Sequence, residues 1–285
     1  MIIDLHMHPF CKEAHYGDKD LIINAMAGKN PKKLIAAKRY IKAIMEKFTI
    51  EDYINIMDKF KVDKAVIVSL NVKTTYNFIM VTNDDIADFV SKYSSRFIGF
   101  GSLDVPSSEA LSELDYAITS LGLMGIKLVP PAQKFDFSNK NYDPIWRKME
   151  ELDISLWTHG GFQQSFITSE AKYGHPMLID DLASRFEDLT IIIGHLGVPW
   201  MWDAWAVINK HDNVYMDISA HPYLYKWFPW DAFKSYPISH KLLFASDYPL
   251  VHYSEIFSEF EKVNIDEGFR DKILGENAQK LLKLS

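Results

Sequence analysis

The run Met1-Ile2-Ile3-Asp4-Leu5-His6-Met7-His8-Pro9 opens the chain, and its reading decides the fold. Successive side chains of a β-strand point to opposite faces, so the sequence places Asp4, His6 and His8 on one face and Ile3, Leu5 and Met7 on the other. Two imidazoles on one face with a single residue between them form a chelating pair. A metal held there would meet further ligands at the ends of neighbouring strands. Three candidates follow apolar runs later in the chain, His159, His195 and Asp247.

Outward from that strand, apolar runs recur at Ala65-Val66-Ile67-Val68, Phe97-Ile98-Gly99-Phe100, Gly125-Ile126-Lys127-Leu128-Val129, Ile154-Ser155-Leu156-Trp157, Ile191-Ile192-Ile193, Val214-Tyr215-Met216 and Leu242-Leu243-Phe244-Ala245. With the first strand they make eight. Stretches of roughly 25 to 35 residues with helical patterning separate them, the rhythm of parallel βαβ units. Ser108 ahead of Glu109, and Asp143 with Pro144 behind it, are credible helix starts. Eight such units predict an α/β fold, a (β/α)8 TIM barrel forming a single domain over residues 1–285. No Gly-rich phosphate loop follows any strand, which counts against a nucleotide-binding doubly wound sheet. The stretch Gly275-Glu276-Asn277-Ala278-Gln279-Lys280-Leu281-Leu282 predicts a terminal helix closing the barrel.

The connection after the first strand, about Phe10 to Asp63, is much longer than the usual βα loop and leaves directly from the histidine pair. Its early part is polar and carries glycine. Ala37, Tyr40, Ile41, Ile44, Met45 and Phe48 then recur at helical spacing, and Thr49 with Asp52 reads as a capping box for a second helix through Phe60. The insertion is expected to roof the site.

Hydrophobic content of 48% and charged content of 24% are those of a globular protein with a substantial core. A formal charge of -7, with scattered lysines, disfavours a nucleic-acid partner. The sequence shows neither a secretion signal nor an apolar run of membrane-spanning length, so a cytoplasmic location with no membrane partner is expected. The one cysteine, Cys11, rules out an internal disulfide and a Cys-rich zinc cage; it reads as a buried filler.

Active sites of such barrels lie at the carboxyl ends of the strands. His6 and His8 end the first strand, His159 the fifth, His195 the sixth and Asp247 the eighth. Five ionisable residues at one rim, from four separate strands, point to a metal site. Asp4 is expected either to fix an imidazole tautomer or to sit deeper as a polar residue.

The ordered set His6-Met7-His8, Gly125-Ile126-Lys127-Leu128, Gly194-His195-Leu196-Gly197, Ser246-Asp247-Tyr248-Pro249 and Gly275-Glu276-Asn277-Ala278 resembles the amidohydrolase superfamily, in particular the branch of aminocarboxymuconate semialdehyde decarboxylase and γ-resorcylate decarboxylase. The resemblance covers essentially the whole chain. It implies one divalent metal, zinc first and manganese second, held by His6, His8, His159 and Asp247, with His195 and Asp247 as catalytic residues. His195 as a further ligand is the alternative. It also implies a possible homodimer. In binuclear relatives a carboxylated lysine on strand four bridges two metals; the setting of Lys127 is closer to the mononuclear branch. Where that branch has a histidine before the proline after strand four, this chain reads Leu128-Val129-Pro130, leaving Gln133 as the nearby polar candidate.

Lys127, Gln133, Phe162, His175, Trp200 and Trp227 are the candidate contacts for a small-molecule substrate. Trp202 and Trp205, at helical spacing, read as packing. The expected reaction is hydrolysis of a small carboxylic ester, lactone or amide by metal-activated water; zinc brings the pKa of bound water to about 7. Nonoxidative decarboxylation of an aromatic or muconate-type acid is the second reading. Of Arg39, Arg96, Arg147, Arg185 and Arg270, only Arg39 is placed to reach the site as a carboxylate clamp, which leans the sequence toward hydrolysis. A noncatalytic metal-binding or ligand-binding barrel is the third.

Overall fold

The apolar runs form strands β1 (Ile3–Met7), β2 (Lys64–Val68), β5 (Phe97–Gly101), β6 (Gly125–Leu128), β7 (Ser155–Thr158), β8 (Ile191–Ile193), β9 (Val214–Asp217) and β10 (Leu242–Leu243), with a small antiparallel pair, β3 (Leu70–Asn71) and β4 (Ile79–Met80), after β2. This computed structural model describes residues 1–234 and 238–284, so Ser285 at the end of the expected domain lies outside them. The eight long-range strands pair in parallel in the order β1-β2-β5-β6-β7-β8-β9-β10. Leu5 N donates to Phe244 O at 2.9 Å, Asp247 N to His6 O at 2.9 Å and His8 N to Tyr248 O at 2.8 Å. These bonds join the two ends of the sheet into a (β/α)8 barrel. Two apolar layers hold it. Ile3, Leu5, Val66, Ile98, Trp157 and Ile192 form one buried cluster, while Ala65, Ile67, Phe97 and Ile126 belong to the larger layer shared with the helices.

β1 departs from simple alternation. Its register to β2 runs Ile3↔Lys64, Asp4↔Ala65 and Met7↔Ile67, so three steps along β1 match two along β2. Such an extra residue is a β-bulge, which re-aims the side chains beyond it. Met7 therefore joins the outer layer although Ile3 and Leu5 are in the inner one. His6 swings against Trp157, ring centroids 4.1 Å apart. The expectation that Asp4 shares a face with His6 and His8 is thus overturned. Asp4 accepts from Ser246 N at 2.9 Å, Ser246 Oγ at 2.5 Å and Tyr253 OH at 2.6 Å. It ties β1 to the turn carrying Asp247 and touches no imidazole.

The long first connection holds helices Lys19–Ala27, Pro31–Tyr40 and Ile50–Lys59, with a π-helical turn Ile41–Met45 continuing the second. The polar early part has a helix of its own because Asp18 caps it, accepting from Asp20 N at 2.8 Å. The Thr49/Asp52 capping box forms as expected. The insertion is strapped to the β3–β4 pair by Gly17 N to Ile79 O, 2.9 Å, and by a Tyr16↔Met80 bridge. Its Phe10, Met26 and Tyr40 thereby become walls of the cavity over the barrel.

Candidate metal centre

Five strand ends converge on that cavity. His6 and His8 enter from β1, Lys127 from β6, His159 from just beyond β7 and His195 from just beyond β8; Asp247 closes the set after β10. The turns that present His195 and Asp247 are left-handed, with φ of 59° and 66°. Non-glycine residues adopt this region at a cost and mainly where surrounding bonds hold them there. Here Asp217 Oδ1 accepts from His195 N at 2.8 Å, and His6 O accepts from Asp247 N.

His8 Nε2 lies 3.2 Å and His6 Nδ1 3.6 Å from Asp247 Oδ1. The His159 and His195 rings are 4.4 Å apart, and those of His6 and His195 5.2 Å. His6, His195 and Asp247 each offer a donor atom within 4.8 Å of the others, so the tightest trio includes the histidine that the resemblance sets aside as acid or base. The donor set fits a divalent cation on a physical test. Both His6 ring nitrogens, His8 Nδ1 and His159 Nε2 are buried with no hydrogen-bond partner. Buried polar atoms are rarely left so, and lone pairs on neutral imidazoles suit a metal. Burial first, and Lys127 second, depress the pKa of His6 and His8 far below the ordinary range and bring His159 to about 3. Burial, then His159, does the same for His195. All four imidazoles are neutral at physiological pH.

Behind His195 runs a chain that the sequence reading missed. Ser219 Oγ lies 2.7 Å from His195 Nδ1 and 2.6 Å from Asp217 Oδ1. Asp217 also accepts from Ser219 N at 3.0 Å and, through Oδ2, from Trp157 Nε1 at 2.6 Å. The Ser219 proton is committed to the carboxylate, so its oxygen accepts from His195 Nδ1–H. His195 Nε2 then carries the lone pair toward the cavity. Asp217 ends β9, one residue past the run read as strand seven. Extending the strand-end rule by that residue finds it.

Of the six expected substrate contacts, Lys127 lines the cavity, its Nζ 5.4 Å over the Trp157 ring. Burial lowers its pKa, opposed by Asp247 and Asp217; burial likewise raises that of Asp247, opposed by Lys127. The other five lie elsewhere. The Gln133 amide is spent on backbone, accepting from Val129 N at 2.8 Å and donating to Asn71 O at 2.9 Å and Leu103 O at 2.5 Å. His175 caps helix Pro176–Arg185 by accepting from Met177 N at 3.2 Å, and Trp200 packs against it with its ring tilted by 47°, centroids 4.6 Å apart. Phe162 and Trp227 are 52% and 62% exposed, the latter under Lys226 Nζ at 4.0 Å. Arg39 points to solvent while its neighbour Tyr40 enters the cavity. Trp157, Phe166, Gln163 and Tyr40 are site residues that the sequence reading did not single out.

A barrel with a histidine and carboxylate cluster at its carboxyl rim defines the class, a metal-dependent (β/α)8 enzyme. The amidohydrolase family model matches residues 3–284, and the chain belongs to that family. It is 23% identical over 259 residues to a γ-resorcylate decarboxylase of Polaromonas sp. JS666, covering 71% of this chain and 75% of that one. The fold superposes on an uncharacterised TIM-barrel protein of Bordetella bronchiseptica with a TM-score of 0.76 at 22% identity, covering 99% and 98% of the two chains. It also superposes on a dihydroxybenzoic acid decarboxylase of Polaromonas sp. JS666, solved with manganese and 2-nitroresorcinol, with a TM-score of 0.72 at 18% identity, covering 99% and 97%. The chain is thus an enzyme of the amidohydrolase superfamily whose relatives include decarboxylases. Among the described residues no helix is long and apolar enough to cross a membrane.

Proposed function

We propose that the chain is a nonoxidative decarboxylase of a small aromatic or unsaturated carboxylic acid, acting with one divalent metal. The observation that carries the reading is Lys127: it is the cation that lines the cavity, it is buried, and it stands beside the histidine cluster. The lean toward hydrolysis rested on the lack of a carboxylate clamp near the rim. Lys127, whose pKa burial lowers to about 7, supplies that group from the barrel wall and is held charged by a carboxylate beside it, and the decarboxylase relatives support the same reaction.

We assign the ion to His6, His8, His159 and Asp247, with His195 Nε2 facing it as acid or base. When bound, the ion supplies positive charge that orients the acid and steadies electron density on its oxygens. Imidazole and carboxylate suit zinc, and manganese is the ion in the Polaromonas structure. Lys127 Nζ holds the carboxylate against departure in the wrong direction, and the apolar walls, Phe10, Leu70 and Phe166 among them, hold the ring and exclude water. The carbon that loses CO2 keeps the bonding pair and needs a proton. We assign its delivery to Asp247, whose Oδ1 lies against the histidine pair, leaving Oδ2 to carry the proton. The products are CO2 and a new C–H bond, and Asp247 regains its proton from water. His195 Nε2, fixed as an acceptor by Ser219, takes a proton from an acidic group on the substrate and returns it to the same atom once the new C–H bond has formed.

The test is CO2 release and deuterium uptake from D2O by protein loaded with manganese or zinc, across aromatic and muconate-type acids, with lactones and esters in parallel. CO2 with one deuterium at the vacated carbon, lost in Asp247→Asn, is expected. Acid release from lactone or ester without CO2 would return the protein to the hydrolases.

A further inference from the structure

Three tyrosines of the first connection and the strap surround the mouth of β1. Tyr16 donates its hydroxyl to Cys11 O at 2.8 Å and Tyr53 donates to Phe10 O at 2.7 Å. The Tyr40 hydroxyl is equally shut from solvent and has no partner. Tyr40 ends helix Pro31–Tyr40 and lines the cavity that holds His6, His8 and Asp247. The rest of the lining includes the apolar Phe10, Met26, Leu70, Met80, Phe166 and Leu250 together with the polar Gln163 and Ser165, and none of them bonds the Tyr40 hydroxyl. A buried hydroxyl left unpaired costs about 1–3 kcal/mol, and a ring needs no such group merely to pack. Burial and the nearby Asp247 push the Tyr40 pKa up, so the group remains a neutral donor.

We propose that Tyr40 is a specificity-determining residue: its hydroxyl, unpaired in the wall of the cavity that holds the histidine cluster, binds a hydroxyl oxygen carried by the substrate acid in addition to its carboxylate. The inference rests on the reading of this cavity as an organic-acid site and names which acids it favours. An acid lacking the second oxygen leaves Tyr40 unpaired, whereas one that has it removes a desolvation cost already present in the free protein. Sites built to hydrogen-bond a hydroxyl discriminate strongly against analogues without it.

The experiment is calorimetric titration of metal-loaded protein with benzoate and with 2-, 3- and 4-hydroxybenzoate, for the native chain and Tyr40→Phe. The variant keeps the ring and its packing. At least one hydroxybenzoate is expected to lose on the order of ten- to a hundredfold in affinity in Tyr40→Phe, while benzoate changes by less than about twofold and the unfolding midpoint does not fall. Equal losses for all four acids, no loss for any, or no binding by any would overturn the assignment; no loss would mean that Tyr40 is satisfied by an ordered water. Affinity and CO2 release are read separately for each acid, so the two readings fail separately. A Tyr40-dependent hydroxybenzoate that yields no CO2 defeats the decarboxylase and leaves Tyr40 in place. CO2 release at equal affinity in both proteins does the reverse.

Discussion

Replacing Asp217 by asparagine keeps the shape of the side chain and turns one of its two oxygens into a donor. Asp217 takes four hydrogen bonds, from His195 N, Ser219 N and Ser219 Oγ on Oδ1 and from Trp157 Nε1 on Oδ2. An amide that keeps its oxygen toward the first three sets its NH2 against the indole N–H. That leaves a buried donor opposed, at about 1–3 kcal/mol, and the other three bonds lose their charge assistance, about 1 kcal/mol each from the gap between charged and neutral bonds. The total is about 4–6 kcal/mol, at the far end of what single substitutions do. Urea unfolding of Asp217→Asn measures it. Trp157→Phe removes the indole donor, so in that background Asp217→Asn should cost about 1–3 kcal/mol less, a coupling that a double-mutant cycle isolates. An amide oxygen holds the Ser219 proton less firmly than the carboxylate does, so the imidazole tautomer loosens; ring nitrogen shifts of His195 should show Nε2–H appearing. A cost below about 1 kcal/mol, or strict additivity with Trp157→Phe, would refute the four-bond account of Asp217.

His195→Asn should retain the metal and lose most turnover, whereas His159→Ala should lose both; metal analysis of each purified variant decides, and metal loss from His195→Asn would make His195 a ligand. Gly161 has a φ of 81°, and a Cβ there would stand 1.9 Å from Val198 O. Gly161→Ala should therefore cost more than about 3 kcal/mol in urea unfolding, and an unchanged midpoint would show that the loop after β7 yields freely. His15 Nδ1 lies 2.5 Å from Asp85 Oδ1, which raises its pKa above 6.5, chiefly through that bond. A histidine raised on folding stabilises fully below its unfolded pKa and loses that stabilisation as pH rises through the folded one. His15→Ala should consequently lower the melting temperature at pH 5.5 and leave it nearly unchanged at pH 9; equal shifts at both would deny the ion pair a role in holding the strap.

What the sequence made legible follows from which rules are local. Period and spacing predict the eight strands because a strand must be apolar wherever it is buried, and the rim residues follow because barrel chemistry gathers at strand ends. Alternation failed at Asp4, since a single bulged residue between Asp4 and Met7 reverses every face beyond it, and no property of those residues announces the bulge. The polar candidates failed for a different reason. Gln133 and His175 are as able to bind a ligand as Lys127, yet Gln133 is consumed by three backbone groups and His175 by a helix end. Residue type gives a side chain's bonding capacity, and only the fold tells how much of it is already spent. The same accounting separates Tyr40 from Tyr16 and Tyr53: three phenols at similar places in the sequence pattern, two with their proton donated to a carbonyl and one with it still to give. Unspent bonding capacity in the cavity is therefore a more direct mark of a functional residue here than polarity or position at the rim. It picks out His6, His8, His159 and Tyr40 together, three of them legible from strand ends and the fourth only from the way the first connection folds back over them.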